Sequence, residues 1–219
     1  MKYRFKLEGI SPLIQHYDNI EGCGLVKAAQ KGAYKKAPKG DDRGVPWTWK
    51  TYLYRQDDTG DVVIPQENIM SMLMAAGMKI PMKGKETFKS YSQLICMDQL
   101  DFPLLVSGNR ITGAMIDSVR DDAEFEEHAD AVRGLGFRLL VKRAAVGASK
   151  HVRVRPMFHG WSVAGTFEID PEDEPVLTES VLKDLFDTAG RRIGLGDWRP
   201  GAKRPGAYGR FTTTLEKIL

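Results

Sequence analysis

The stretch AGRRIGLGDWRPGAKRPGAYGRF, residues 189–211, places glycines at 190, 194, 196, 201, 206 and 209 among Arg191, Arg192, Arg199, Lys203, Arg204 and Arg210, with Asp197 as its one acid. Glycine lets a backbone approach another chain closely, and arginine offers paired donors to phosphate. Trp198 and Tyr208 supply rings on which bases can stack. The Gly-Lys-Ser/Thr ending of a nucleotide-hydrolase phosphate loop is missing. A helix rather than a strand precedes the glycines, which sets the segment apart from a dinucleotide-binding turn.

Outward from this loop the elements follow from periodicity. A capping hydroxyl at Thr178 and early acids start a helix that runs to Ala189-Gly190, and Tyr208 to Ile218 reads as the last strand. At the other end, Tyr3 to Gly9 alternates apolar with charged residues as a half-buried strand does. Pro65 opens a helix over Gln66–Lys79, with Ile69, Met72, Leu73 and Ala76 at helical spacing. Leu94–Met97 and Phe102–Val106 are short strands, and Glu124–Arg133 is weakly helical. Phe137–Ala145, the turn at 147–150, His151–Met157 and Trp161–Ile169 read as an antiparallel hairpin and its continuation. The stretch from Gln15 to Asp61 is too long for a plain connection, so it is an insertion. Its Trp47, Trp49, Tyr52 and Tyr54 alternate with polar residues, so one face of a strand would present aromatic rings. Without the insertion the order is strand, helix, strands, helix, strand. That is an α+β fold of the ferredoxin-like, RRM-like βαββαβ type, expected as a single domain over 1–219.

Charge is segregated. Seven basic residues and no acid lie between Ala131 and Phe167, among them Lys142, Arg143, Lys150, Arg153 and Arg155, while Asp117–Asp130 and Glu168–Asp187 hold seven and eight acids. A third basic stretch runs from Lys27 to Arg43. A net charge of +3 assembled from such blocks points to a positive face and a polyanion partner. With 219 residues, 42% hydrophobic and 28% charged, the chain has an ordinary globular composition, and no apolar run nears the roughly 18 residues of a membrane span. The N-terminus lacks an apolar signal core, and Cys23 and Cys96 stand far apart, so a cytoplasmic protein with neither disulfide nor zinc site is expected.

The glycine-rich loop between the second helix and last strand resembles the signature of the RAMP superfamily, the RNA-binding subunits of CRISPR effector complexes and their relatives. The opening strand with Gly9-Ile10-Ser11-Pro12-Leu13 is similar to the start of many of them. Residues 154–161 (VRPMFHGW) together with 189–200 also resemble phage- and prophage-encoded proteins of that kind. The resemblance implies a palm domain that recognises single-stranded RNA in preference to DNA and assembles head to tail or with other such subunits. It implies a finger-like insertion at 16–61, a basic thumb-like hairpin at 137–157 and the glycine-rich loop at 190–210. The expected contacts are Lys142, Arg143, Lys150, Arg153, Arg155, Arg191, Arg192, Gly194, Gly196, Trp198, Arg199, Lys203, Arg204 and Tyr208.

Catalysis is weakly signalled. His16 follows the first strand, where processing endonucleases of this superfamily often keep a general base, so a metal-independent RNA endonuclease is one alternative. Asp18, or the pairs Asp41-Asp42 and Asp57-Asp58, could engage a metal, but polar loops carry such residues routinely. His128, His151 and His159 lack partner spacing, and no cofactor or metal is expected. A third alternative is an assembly protein whose basic face docks an acidic partner.

Overall fold

Lys2–Gly9 forms strand β1 because Tyr3, Phe5 and Leu7 are buried on one face while Arg4, Lys6 and Glu8 turn outward. The computed structural model describes residues 1–17, 41–81, 87–146 and 149–218, giving the backbone alone for 144–146 and 149–150. After β1 come β2 (Leu13–Ile14), two 3-10 helices (Asp42–Gly44 and Pro46–Tyr52), β3 (Val63–Pro65), α1 (Gln66–Gly77), α2 (Lys89–Ser92), β4 (Cys96–Met97), β5 (Asp101–Pro103), β6 (Leu105–Val106) and β7 (Asn109–Arg110). The second half holds α3 (Gly113–Asp117), α4 (Phe125–Gly134), β8 (Arg138–Val146), β9 (Ser149–Phe158), β10 (Trp161–Glu168), α5 (Glu179–Thr188) and β11 (Phe211–Lys217). The architecture is α+β with antiparallel sheets. Two compact units divide the chain: Met1–Leu13, Val63–Arg110 and His159–Leu219 form the first, and Ile14–Val62 with Ile111–Phe158 the second. The part of the expected insertion that is described and the expected thumb-like hairpin both fall in the second unit.

In the first unit the sheet runs β11-β1-β10-β6-β7, with β4 also on β10. Every partner of β1 and β10 is antiparallel. The inner face is aromatic. Phe5 meets Phe102 at 5.4 Å and Phe186 of α5 at 6.0 Å, and Phe167 stacks on Tyr3 and on Phe186. Gly165, opposite Phe5, leaves the space that Phe102 occupies, for a Cβ there would lie 2.2 Å from that ring. α1 buries Ile69, Met72, Leu73 and Ala76, the spacing read from the sequence, while Pro65 sits one position earlier as the N-cap. The outer face is charged. Arg4 lies opposite Glu216 and pairs with it at 3.0 Å, and Lys2 binds Glu168 and Asp98.

In the second unit β8 and β9 form the expected hairpin, with Arg138 opposite Met157 and Lys142 opposite Arg153. Gln15, one residue past β2, donates its N–H to Pro156 O of β9 at 3.3 Å. Trp161–Glu168 does not continue this hairpin. β10 instead pairs with β1, because its alternation buries Trp161, Val163 and Phe167 in the aromatic core of the first unit. Residues 46–52 are a 3-10 helix rather than a strand, so their rings do not form a ladder. Pro46 favours a helical start, and Trp49 is fully buried against Phe137 and His128. α4, weakly helical by its sequence, buries His128 and Val132 in the same core.

Candidate nucleic-acid interface

The glycine-rich segment begins where α5 ends. The helix widens into a π-turn over Ala189–Ile193, and Gly194 (φ 74°) then reverses the chain. Ile193 and Leu195 are buried and anchor the segment to the first unit. From there the loop braces itself with its own backbone. Leu195 N–H donates to Gly209 O at 2.9 Å, Gly201 N–H to Ile193 O at 2.8 Å, and Tyr208 N–H to Trp198 O at 3.3 Å. Gly209 N–H reaches Pro12 O at 2.7 Å, tying the loop to the end of β1.

The close approaches explain two of the glycines. A Cβ at Gly209 would lie 1.8 Å from Leu195 O, and one at Gly206 1.9 Å from Trp198 O. No side chain fits at either point. Gly196 also has positive φ, 72°, and its carbonyl accepts from Arg199 Nη1 at 2.8 Å. These glycines therefore pack the loop against itself, and Gly206 and Gly209 spend their own N–H groups on Arg199 O and Pro12 O.

What the loop presents outward is cationic. Arg191, Arg192, Lys203, Arg204 and Arg210 are exposed, and among the described residues none of them forms an ion pair. Arg191 Nε makes only a long contact to Asp187 O, 3.4 Å. Arg210, one of the segment's cations but not among the expected contacts, belongs with this set. Its carbonyl accepts from Ile10 and Ser11 N–H, and its N–H donates to Ser11 Oγ at 2.9 Å, so a fixed backbone carries an exposed guanidinium. Arg199 is half-buried. Trp198 takes φ 51°, a left-handed conformation rare for a bulky residue, and its ring lies 6.3 Å from that of Tyr208.

Two of the hairpin cations of the second unit, Arg153 and Arg155, are drawn inward. Asp42 is fully buried; Arg153 Nη1 donates to its Oδ1 at 3.0 Å, and Val154 N–H and Tyr52 Oη–H donate to its Oδ2 at 3.2 Å each. Burial, together with the Asp42 charge, pushes the Tyr52 hydroxyl up to about 12, so it stays a donor. Arg155 is only 7% exposed. Lys142 and Arg143 are exposed, and the side chain of Lys150 lies outside the described residues. Asp41 caps the first 3-10 helix and binds Arg43 at 2.6 Å, and that guanidinium holds its carboxyl below the usual range. Asp57 and Asp58 are exposed, and Asp18 lies outside the described residues.

Exposed His16 lies edge-on to the Tyr52 ring, with centroids 5.0 Å apart. His128 is buried and accepts from Trp49 Nε1–H at 3.0 Å. His159 is exposed just past β9, and Cys96 is an exposed thiol. Among the described residues no group of three or more His, Cys, Asp or Glu is placed to hold a metal ion, and no helix is long and apolar enough to cross a membrane.

The strand faces sharpen the picture. On the outer face of the first unit's sheet, β1, β10 and β11 carry Lys2, Arg4, Lys6, Glu8, Ser162, Ala164, Thr166, Glu168, Thr212, Thr214 and Glu216, and none of these has a ring. Base stacking on the sheet surface has no platform on these strands. In the first unit the exposed cations of the loop belong to the same glycine-rich segment as the Trp198–Tyr208 pair. No protein-family model matches the chain, and no curated protein matches it in sequence.

Proposed function

We propose that the chain is a RAMP-like protein that binds single-stranded RNA without cleaving it, gripping the sugar–phosphate chain with the 189–211 loop. The ferredoxin-like part of this reading is supported by strand order. Taking β1, α1, β4 with β6, β10, α5 and β11 as a βαββαβ core, the sheet runs last, first, third, second. β10 then lies between β1 and the strands that follow α1, which is the split βαβ arrangement. The observation that carries the RNA reading is the set of exposed cations that, among the described residues, have no acidic partner, on a loop braced by its own hydrogen bonds. Such a loop meets a polyanion with little ordering cost, and each phosphate contact releases counterions. Copies bound in succession along one strand would give the head-to-tail assembly that the resemblance implies.

The test is fluorescence anisotropy with labelled oligouridine across a salt series. Replacing Arg191, Arg192, Lys203 and Arg204 by alanine should weaken binding to every sequence and reduce the slope of log K against log salt by about 3, at roughly 0.7 per phosphate lost on a single strand. The labelled RNA should stay intact in chelator. An unchanged slope refutes the loop assignment, and cleavage that is lost in His16→Ala would replace the binding reading with the endonuclease.

A further inference from the structure

β11 closes one side of the first unit's sheet, and among the described residues its outer edge pairs with no strand. The register tells which groups that edge offers. Arg210 O accepts from Ile10 N–H at 2.8 Å, and Ile218 N–H donates to Lys2 O at 2.9 Å. Even-numbered residues thus bond to β1, and antiparallel alternation turns the N–H and C=O of Thr213 and Leu215 away from the sheet. A cavity of about 280 Å³ lies beside them, walled by Glu179, Lys183, Phe186 and Asp187 of α5 and by Thr213, Thr214 and Leu215. Thr213 Oγ1 is buried without a hydrogen-bond partner, a condition that costs roughly 1–3 kcal/mol until something supplies one.

We propose that this cleft binds an extended peptide segment of a partner protein, added as a strand to β11, with Lys or Arg side chains against Glu179 and Asp187 on either side of Lys183. Strand addition matches the row of free backbone groups, and α5 forms the second wall, as in other sites where a peptide augments a sheet. At about 280 Å³ the cavity falls below the usual range for a free drug-sized ligand and suits a side chain or two. Glu179 and Asp187 flank Lys183 by one helical turn each, and among the described residues none of the three is ion-paired. Glu172, Asp173 and Asp184 add further acid on and just before the helix, while Glu174 is paired with the Met1 ammonium at 3.2 Å. The electrostatics favour a basic strand and disfavour nucleic acid. They also disfavour a second copy of this chain, because a two-fold axis through Thr214 would set Lys183 against Lys183 and Glu179 against Asp187. β11 carries neither proline nor bulge, two of the devices that keep a free edge from pairing, and its charged residues stand at its C-terminal end.

The probe is a labelled Thr-Lys-Val-Lys-Val-Lys peptide, compared with its Glu-for-Lys counterpart and with a version N-methylated at alternate amides. We expect the basic peptide alone to bind and to slow amide exchange at Thr213 and Leu215 but not at Thr214. Glu179→Gln combined with Asp187→Asn should weaken it by about tenfold. Thr213→Pro removes an outward N–H without touching the β1 ladder, and should abolish peptide binding while leaving oligouridine affinity unchanged. The proposal is overturned if no peptide binds, if the three peptides bind alike, or if adding peptide slows exchange at Thr214 as much as at Thr213. Because the readout is peptide binding, it stands or falls separately from the RNA assignment.

Discussion

The glycine-rich loop and the β8–β9 hairpin are alike in sequence, each a basic run with few or no acids, and they differ in what their cations do. On the loop, Arg191, Arg192, Lys203, Arg204 and Arg210 are exposed, with no acid within pairing distance among the described residues. On the hairpin, Arg153 is spent on Asp42, 111 residues away in the chain, and Arg155 is buried. Local charge density therefore does not measure the charge a surface offers. A carboxylate brought in from a remote segment can turn a basic strand into a structural one, and that neutralisation has no signature near the strand itself.

The largest effect should come from breaking the hairpin's side of this contrast. Asp42→Ala leaves Arg153, Tyr52 Oη and Val154 N–H without their shared acceptor, and removing one member of a buried ion pair costs about 3–5 kcal/mol. The loss should appear in urea denaturation and as faster amide exchange across β8 and β9. Adding Arg153→Met to Asp42→Ala should recover part of it, since the half-buried charge left unpaired is then gone too. Oligouridine affinity, measured where the variant is still folded, should be unchanged. A fall as large as that of the loop variant would mean that the two basic runs act together.

Trp198 probes the loop's side. Trp198→Ala should lower single-stranded RNA affinity by about 1–3 kcal/mol, the worth of one base–aromatic stack. Trp198→Gly loses the same ring but relieves the left-handed backbone, worth roughly 1–2 kcal/mol. The two variants should therefore match in RNA affinity while the glycine form melts higher. If affinity instead follows stability, the ring braces the loop and does not stack on a base. Smaller still, Lys142→Ala with Arg143→Ala should change the salt slope by no more than about 1.4, two phosphates at 0.7 each, against about 3 for the loop variant.

The elements with strong periodicity were legible. β1, α1, β8, β9, β10 and α5 lie within a few residues of where spacing and capping put them, because each buries one clean face. Partnership was less so. Trp161–Glu168 follows the hairpin in sequence and alternates as the hairpin does, yet its large inward residues belong with Phe5 and Phe186, and nothing local says so. Residues 46–52 alternate aromatic and polar as a strand would, but Pro46 and the depth at which Trp49 is buried select a 3-10 helix. At the loop, most of the cations that the residue pattern marks are exposed, while the glycines serve the loop's own packing. Carbonyl oxygens of Leu195 and Trp198, invisible as side chains, occupy the space that Gly209 and Gly206 leave open.

The smallest effect separates the two units by pH. His128 lies in the second unit's core, where its Nδ1 accepts from Trp49 Nε1–H at 3.0 Å, so protonating that nitrogen breaks the bond. Burial, reinforced by the charge of Lys50, holds the imidazole below its ordinary 6.5. With the folded value depressed, the unfolded chain takes up a proton before the folded one does. Stability contributed by neutral His128 is then complete above about 6.5 and is lost as pH falls from there toward the folded value. Denaturation midpoints should decline over that interval, and exchange should quicken first in α4 and around Trp49 rather than in the glycine-rich loop. His128→Gln keeps an acceptor for the indole and removes the titration, so its midpoint should vary less over the same interval. An equal decline in that variant would transfer the pH dependence to other groups.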